Sequence, residues 1–238
     1  MPKASIFFLF AFFFYMAGCT STRHLQSDSE FTSINSSAPP KRPDLHDLHS
    51  RFRQFKKGDT SSIYEIKLCA DVPYDKNPSK VVHKKEPGHV FLIFSQSVSA
   101  DVSVSQVFGY YPVRPATVIF GKNVKSQIRN NSGRIYDAEI SVKVNQELFF
   151  ALLDSSIMLA GRKYNLNKFN CYDYGLGIFN RAACTQVLPI QYVKFPFIWG
   201  SGGSPTGLYS QLKLFKEKDS FWGPHIQFGQ FKAPVTSN

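Results

Sequence analysis

The chain is short of acidic residues, of cysteines and of apolar runs long enough to cross a bilayer. Asp and Glu number 17 against 28 Lys and Arg, a formal net charge of +11. That balance favours anionic partners such as lipid or cell-wall polymer, and no nucleic-acid-binding motif accompanies it. Four cysteines occur in 238 residues. His46 and His49 have no convincing ligand spacing, so neither a metal nor a cofactor is expected. Past residue 18 nothing approaches the ~20 apolar residues of a transmembrane helix. What is present, 15% aromatic and 43% hydrophobic residues, suffices for one core.

Lys3 heads an apolar, aromatic run from Ile6 to Met16. It is too short to span a bilayer and has the length of a signal-peptide core. It ends in Ala17-Gly18-Cys19, which resembles the lipobox of bacterial lipoproteins. The resemblance implies cleavage before Cys19 and lipidation of that residue, so that acyl chains anchor the protein to a membrane. A plain cleavable signal is the other reading. Removing residues 1–18 takes away only Lys3 and leaves +10. Thr20 stands where enteric-type lipoproteins carry the aspartate of inner-membrane retention. The expected location is therefore the cell envelope, at the periplasmic or surface face of an outer membrane. Residues 19–60 read as a flexible basic tether, with Lys41, Arg42, Arg51, Arg53, Lys56 and Lys57 against Asp44 and Asp47. Such a run adheres to anionic head groups or is simply solvated.

From residue 61 the pattern changes. Alternation of Tyr64, Ile66, Leu68, Ala70 and Val72 predicts a strand over 62–72. Further strands are expected from His89, over 105–111 and 135–144, with a short one at 117–120. Asn145 caps a predicted helix from Gln146 to Ala160, ended by Gly161. Asn170 caps a second, Leu188-Pro189 closes it, and Ser204-Pro205 opens a third, to about Phe215. Residues 190–203 read as a loop. Strands followed by helices predict an α+β domain over 61–216, a mainly antiparallel sheet packed against a few helices. Residues 217–238 are expected as a C-terminal extension.

Two residues carry candidate chemistry. Cys171 falls in the first turn of the Asn170-capped helix, where the helix dipole favours a thiolate; a buried cysteine filling a core gap is the competing reading. His89 opens a strand directly after Pro87-Gly88. Thiol hydrolases need a base beside the sulfur, and the two come from distant segments. Gly88-His89-Val-Phe-Leu, with Phe-Asn170-Cys171-Tyr-Asp173 downstream, resembles the circularly permuted papain-like families. These are relatives of NlpC-type peptidases that include the lecithin:retinol acyltransferase group, here in a bacterial lipoprotein branch. The resemblance covers roughly residues 64–214. It implies a permuted papain-like fold, Cys171 as nucleophile, His89 as base, and amide cleavage in peptidoglycan or acyl transfer on lipids. Oxyanion donors would be backbone N–H groups at the helix start.

A third polar group should orient the imidazole. Asp137 is the first candidate, with Glu139 and Asp101 in reserve. Asp173 serves the helix dipole, and Tyr110 and Tyr111 read as packing residues. With Cys19 lipidated, Cys69, Cys171 and Cys184 remain. A Cys69–Cys184 bridge leaves Cys171 free, a Cys171–Cys184 bridge removes it, and the sequence leaves both open. A non-catalytic envelope binding or assembly module is the alternative to the enzyme.

Overall fold

Alternation decides where each strand faces. In this computed structural model, residues 48–58, 61–74, 77–80, 88–98, 103–184, 186–195, 200–218 and 220–237 are described. Residues 1–18, read as a signal segment, and Cys19, His46 and Asp101 lie outside the described residues. Six strands form one antiparallel sheet: β1 (Ile63–Asp71), β2 (His89–Ser97), β3 (Ser103–Pro112), β4 (Ser126–Asn130), β5 (Ile135–Val144) and β8 (Ile226–Lys232). Their order is β4-β3-β2-β1-β5-β8. Helices α3 (Gln146–Ala160), α4 (Cys171–Ala183) and α5 (Pro205–Glu217) pack against it, so the fold is α+β.

The first face carries Ile66, Leu68, Val90, Leu92, Phe94, Phe108 and Tyr110, all in one core with the helices. The second carries Cys69, Phe91, Ile93, Val107 and Tyr136, a smaller cluster closed by Phe231 and Ala233. Both faces are therefore buried, which is why β2 reads as a continuous apolar run rather than an alternating one.

The sheet curls. Residues 131–134 alone join β4, at one edge, to β5, fifth in order. A flat sheet would set those strands ~19 Å apart at ~4.8 Å per strand, more than so short a link spans comfortably at ~3.5 Å per residue. The C-terminal residues complete the curl. Ala233 N donates to Arg134 O at 2.9 Å and Ser237 N to Ser105 O on β3 at 2.8 Å. The 217–238 stretch, expected as an extension, thus supplies an edge strand and a strap from β8 back to β3.

The core also begins earlier than expected. Helix α1 (Leu48–Phe52) lies in the stretch read as tether, yet Leu48, Phe52 and Phe55 belong to the core. Phe52 stacks on Phe94 at 6.2 Å and meets Phe108 edge-on at 5.3 Å. Elsewhere, residues 117–120 are not a strand. Pro115 starts a single helical turn, α2 (Pro115–Val118), proline being well placed at the first helical position. Residues 190–203 include a small hairpin, β6 (Tyr192–Lys194) with β7 (Ser201–Gly203). Among the described residues no helix is long and apolar enough to cross a membrane.

Candidate functional site

Helix α4 starts where it does because Asn170 uses its whole side chain. Its Oδ1 accepts from Tyr172 N at 2.8 Å, and its Nδ2 donates to Leu166 O at 2.8 Å and Gly203 O at 2.9 Å. Asp173 closes a capping box by accepting from Asn170 N at 2.9 Å. Asn170 is 1% exposed, so the loop before the helix, the helix and the β6–β7 hairpin share one fastening. Cys171 is thereby fixed in the first turn, against the first face of the sheet.

The N–H groups of Val90 and Tyr172 and the Tyr164 hydroxyl lie near its thiol. Burial pushes the thiol above its ordinary value. Asp173 adds to the rise, while the Val90 and Tyr172 N–H groups and the Arg134 guanidinium oppose it. Cys69 and Cys171 carry free thiols, so neither of the two possible bridges forms. Cys69 is fully buried on the second face, and burial and Glu139 push its thiol well up.

His89 occupies the first position of β2, one residue from the Val90 N–H that lies near the thiol. Gly88 precedes it at φ +69°, where a Cβ would stand 2.6 Å from Asp71 O, so only glycine fits the turn. Side chains alternate along β2. Val90 therefore points to the helices and Cys171, whereas the imidazole packs on the second face. It stacks on Tyr111 at 4.0 Å and on Phe91 at 6.2 Å. Thiol and imidazole thus reach the same end of β2 from its two sides, and His89 Nε2 has no hydrogen-bond partner. Burial, then Arg134 and Arg129, push the imidazole well below its ordinary value, leaving it neutral.

The imidazole's neighbours come from the curl. Its Nε2 and Asn131 Oδ1 lie 2.2 and 2.6 Å from the Cβ that any residue but glycine would carry at 109. Asn131 is 5% exposed, and its Oδ1 is likewise unpartnered. Its Nδ2 donates to the Tyr111 hydroxyl at 2.6 Å. Arg134 Nε donates to Asp71 Oδ2 at 2.7 Å, and a second guanidinium nitrogen pairs with the same carboxylate. Arg129 lies over the Tyr111 ring at 4.9 Å. A buried imidazole and a buried carboxamide oxygen without partners are costly to fold, and such costs concentrate at functional sites.

Asp137 sits at the bulge of β5 between Tyr136 and Ala138, and its Oδ2 accepts from Val72 N at 2.8 Å. Glu139 accepts from Lys67 Nζ at 2.8 Å and from the Tyr136 hydroxyl at 2.5 Å. The polar groups that do face the imidazole are Asn131 and Tyr111, backed by Arg134 and Arg129. Asn131 sits in an Asn-Asn-Ser-Gly stretch that reads as ordinary turn chemistry, and Tyr111 reads as packing. Their convergence on His89 depends on strand pairing and curl, which no local pattern records. Tyr110 is a packing residue as expected, stacked on Tyr174 at 5.0 Å and Tyr164 at 5.5 Å. Among the described residues no cluster of His, Cys, Asp and Glu could hold a metal ion.

Comparison with protein-family models, with curated proteins and with solved structures gives no match.

Proposed function

We propose that the protein is an envelope lipoprotein, anchored through Cys19, whose permuted papain-like domain performs thiol acyl transfer with Cys171 and His89. One observation carries the reading: a free thiol in a capped first helical turn shares the end of β2 with a buried imidazole whose Nε2 has no partner.

A neutral thiol beside a neutral imidazole suits general-base catalysis rather than a preformed ion pair. His89 turns from Tyr111 toward the sulfur and accepts the thiol proton as Cys171 Sγ bonds to the substrate carbonyl carbon. The developing oxyanion takes a hydrogen bond from the Cys171 N–H, since the N–H groups of Asn170, Tyr172 and Asp173 serve the capping box. The carbonyl–nitrogen bond then breaks, and the imidazolium returns its proton to the leaving amine. Water, or an acceptor hydroxyl or amine, attacks the thioester, giving its proton to His89 as the carbon–sulfur bond breaks. Before His89 turns, Asn131 Oδ1 faces the imidazole and would hold it in its resting place against Tyr111. Peptide or amide bonds of peptidoglycan, or acyl groups of lipids, are the substrate classes within reach of an anchored envelope protein.

A second reading, a non-catalytic envelope binding or assembly module, is favoured by a different observation. Burial pushes the thiol up and the imidazole down, and no hydrogen bond joins them. Purified cell-wall peptides and phospholipids, followed by mass spectrometry with wild type, Cys171→Ala and His89→Ala, separate the two. Product that needs both residues supports the enzyme; binding without product in all three supports the module.

A further inference from the structure

We propose that residues 119–123 form a finger that inserts into the surface of an anionic bilayer and docks the Cys171 end of the domain there. Ile119 and Phe120 are 49% and 73% exposed, at the end of the α2 turn. They are held out, not loosely displayed. Val118 is buried beneath them, and Gly121, at φ +66°, donates its N–H to Val118 O at 3.0 Å. Asn165, itself 3% exposed, donates from Nδ2 to Gly121 O at 3.0 Å and to Asn123 Oδ1 at 2.8 Å. Val124 and Tyr164 exchange backbone hydrogen bonds of 2.8 and 2.9 Å. Tyr164 belongs to the same buried cluster as Cys171, with its hydroxyl near the thiol, so the finger stands beside the candidate site.

Charge surrounds the apolar tip. Lys122 and Lys125 are exposed beside it, Arg114 stands at the base of the turn, and Lys163 and Lys168 flank the loop that grips it. No Asp or Glu occurs from 113 to 134 or from 155 to 172. A large aromatic held out among lysines is the arrangement of an interfacial anchor, the ring entering the acyl boundary while the ammonium groups stay with the head groups. A hydrated anionic polymer would satisfy the lysines and leave Phe120 in water. A second copy of the chain would set like charges against each other. The bilayer satisfies both. The inference does not depend on thiol chemistry, since the finger would dock a binding module equally well.

Hydrogen exchange of the full chain over residues 117–125 tests it. The protein would be reconstituted in vesicles of phosphatidylcholine alone and of phosphatidylcholine with phosphatidylglycerol, so that the anchor is held in both. Exchange at 119–123 is expected to slow at least about fivefold on the anionic vesicles, the weight of one lysine at such a surface. Phe120→Ser and the double variant Lys122→Glu/Lys125→Glu should abolish the difference while melting as wild type does, because all three side chains are exposed. Equal exchange on both vesicles overturns the proposal. So does protection by soluble dextran sulfate that survives Phe120→Ser, which would assign the surface to a polymer.

Discussion

Gly109 is the residue on which the imidazole's position turns. A methyl group there would stand 2.2 Å from His89 Nε2 and 2.6 Å from Asn131 Oδ1. Gly109→Ala should therefore displace His89 and cost about 1–3 kcal/mol, the usual scale of overpacking, read by urea unfolding. His89 itself makes stability depend on pH. Its folded value lies well below the ordinary 6.5, so on acidification the unfolded chain takes up the proton first. Stability is full above about pH 6.5 and falls below it, by about 1.4 kcal/mol per unit until the folded value is reached. Unfolding at pH 7.5 and pH 5.0 should show a steeper loss for wild type than for His89→Gln. The Cys171 thiol, raised by burial and restrained by Arg134, should alkylate with a midpoint above 9.0, and Arg134→Gln should move that midpoint higher.

Helix α4 depends on its cap. Asn170→Ala removes one acceptor and two side-chain donor contacts, two of the three bonds being fully buried. A cap is worth ~1 kcal/mol and each newly unsatisfied buried group ~1–3 kcal/mol. Thermal melting should show a loss of at least about 2 kcal/mol. The sequence made α3, α4 and their caps readable, since Asn145, Asn170 and Gly161 signal locally within a few residues of the helices they bound. It also made β1 and β5 readable, because only one side of each pattern is strongly apolar. Strand β4 was hidden: Ser126-Gln-Ile-Arg-Asn130 has one buried position, Ile128. Strand β8 was hidden because Ile226 to Lys232 is mostly exposed and interrupted by Gly229. Cys171 and His89 were legible by residue type and context. That β2 runs between them was not, because facing follows from register.

At the scale of the molecule, the sheet is held from both ends of the chain. Phe52, in a stretch of tether-like composition, fills the core beside Phe94 and Phe108. Phe52→Ala should cost about 3–5 kcal/mol, and a chain beginning at residue 61 should melt well below one beginning at residue 48. The central claim remains the thiol chemistry between helix and sheet. Its most direct test is the intact mass of the full chain after brief exposure to an activated ester, with peptide mapping to separate Cys171 from Cys69 and Cys184. The account predicts an acyl adduct on Cys171 that forms rapidly in wild type and turns over, and that forms far more slowly in His89→Ala. An unmodified Cys171, or one acylated equally fast without His89, would contradict it and leave a binding module.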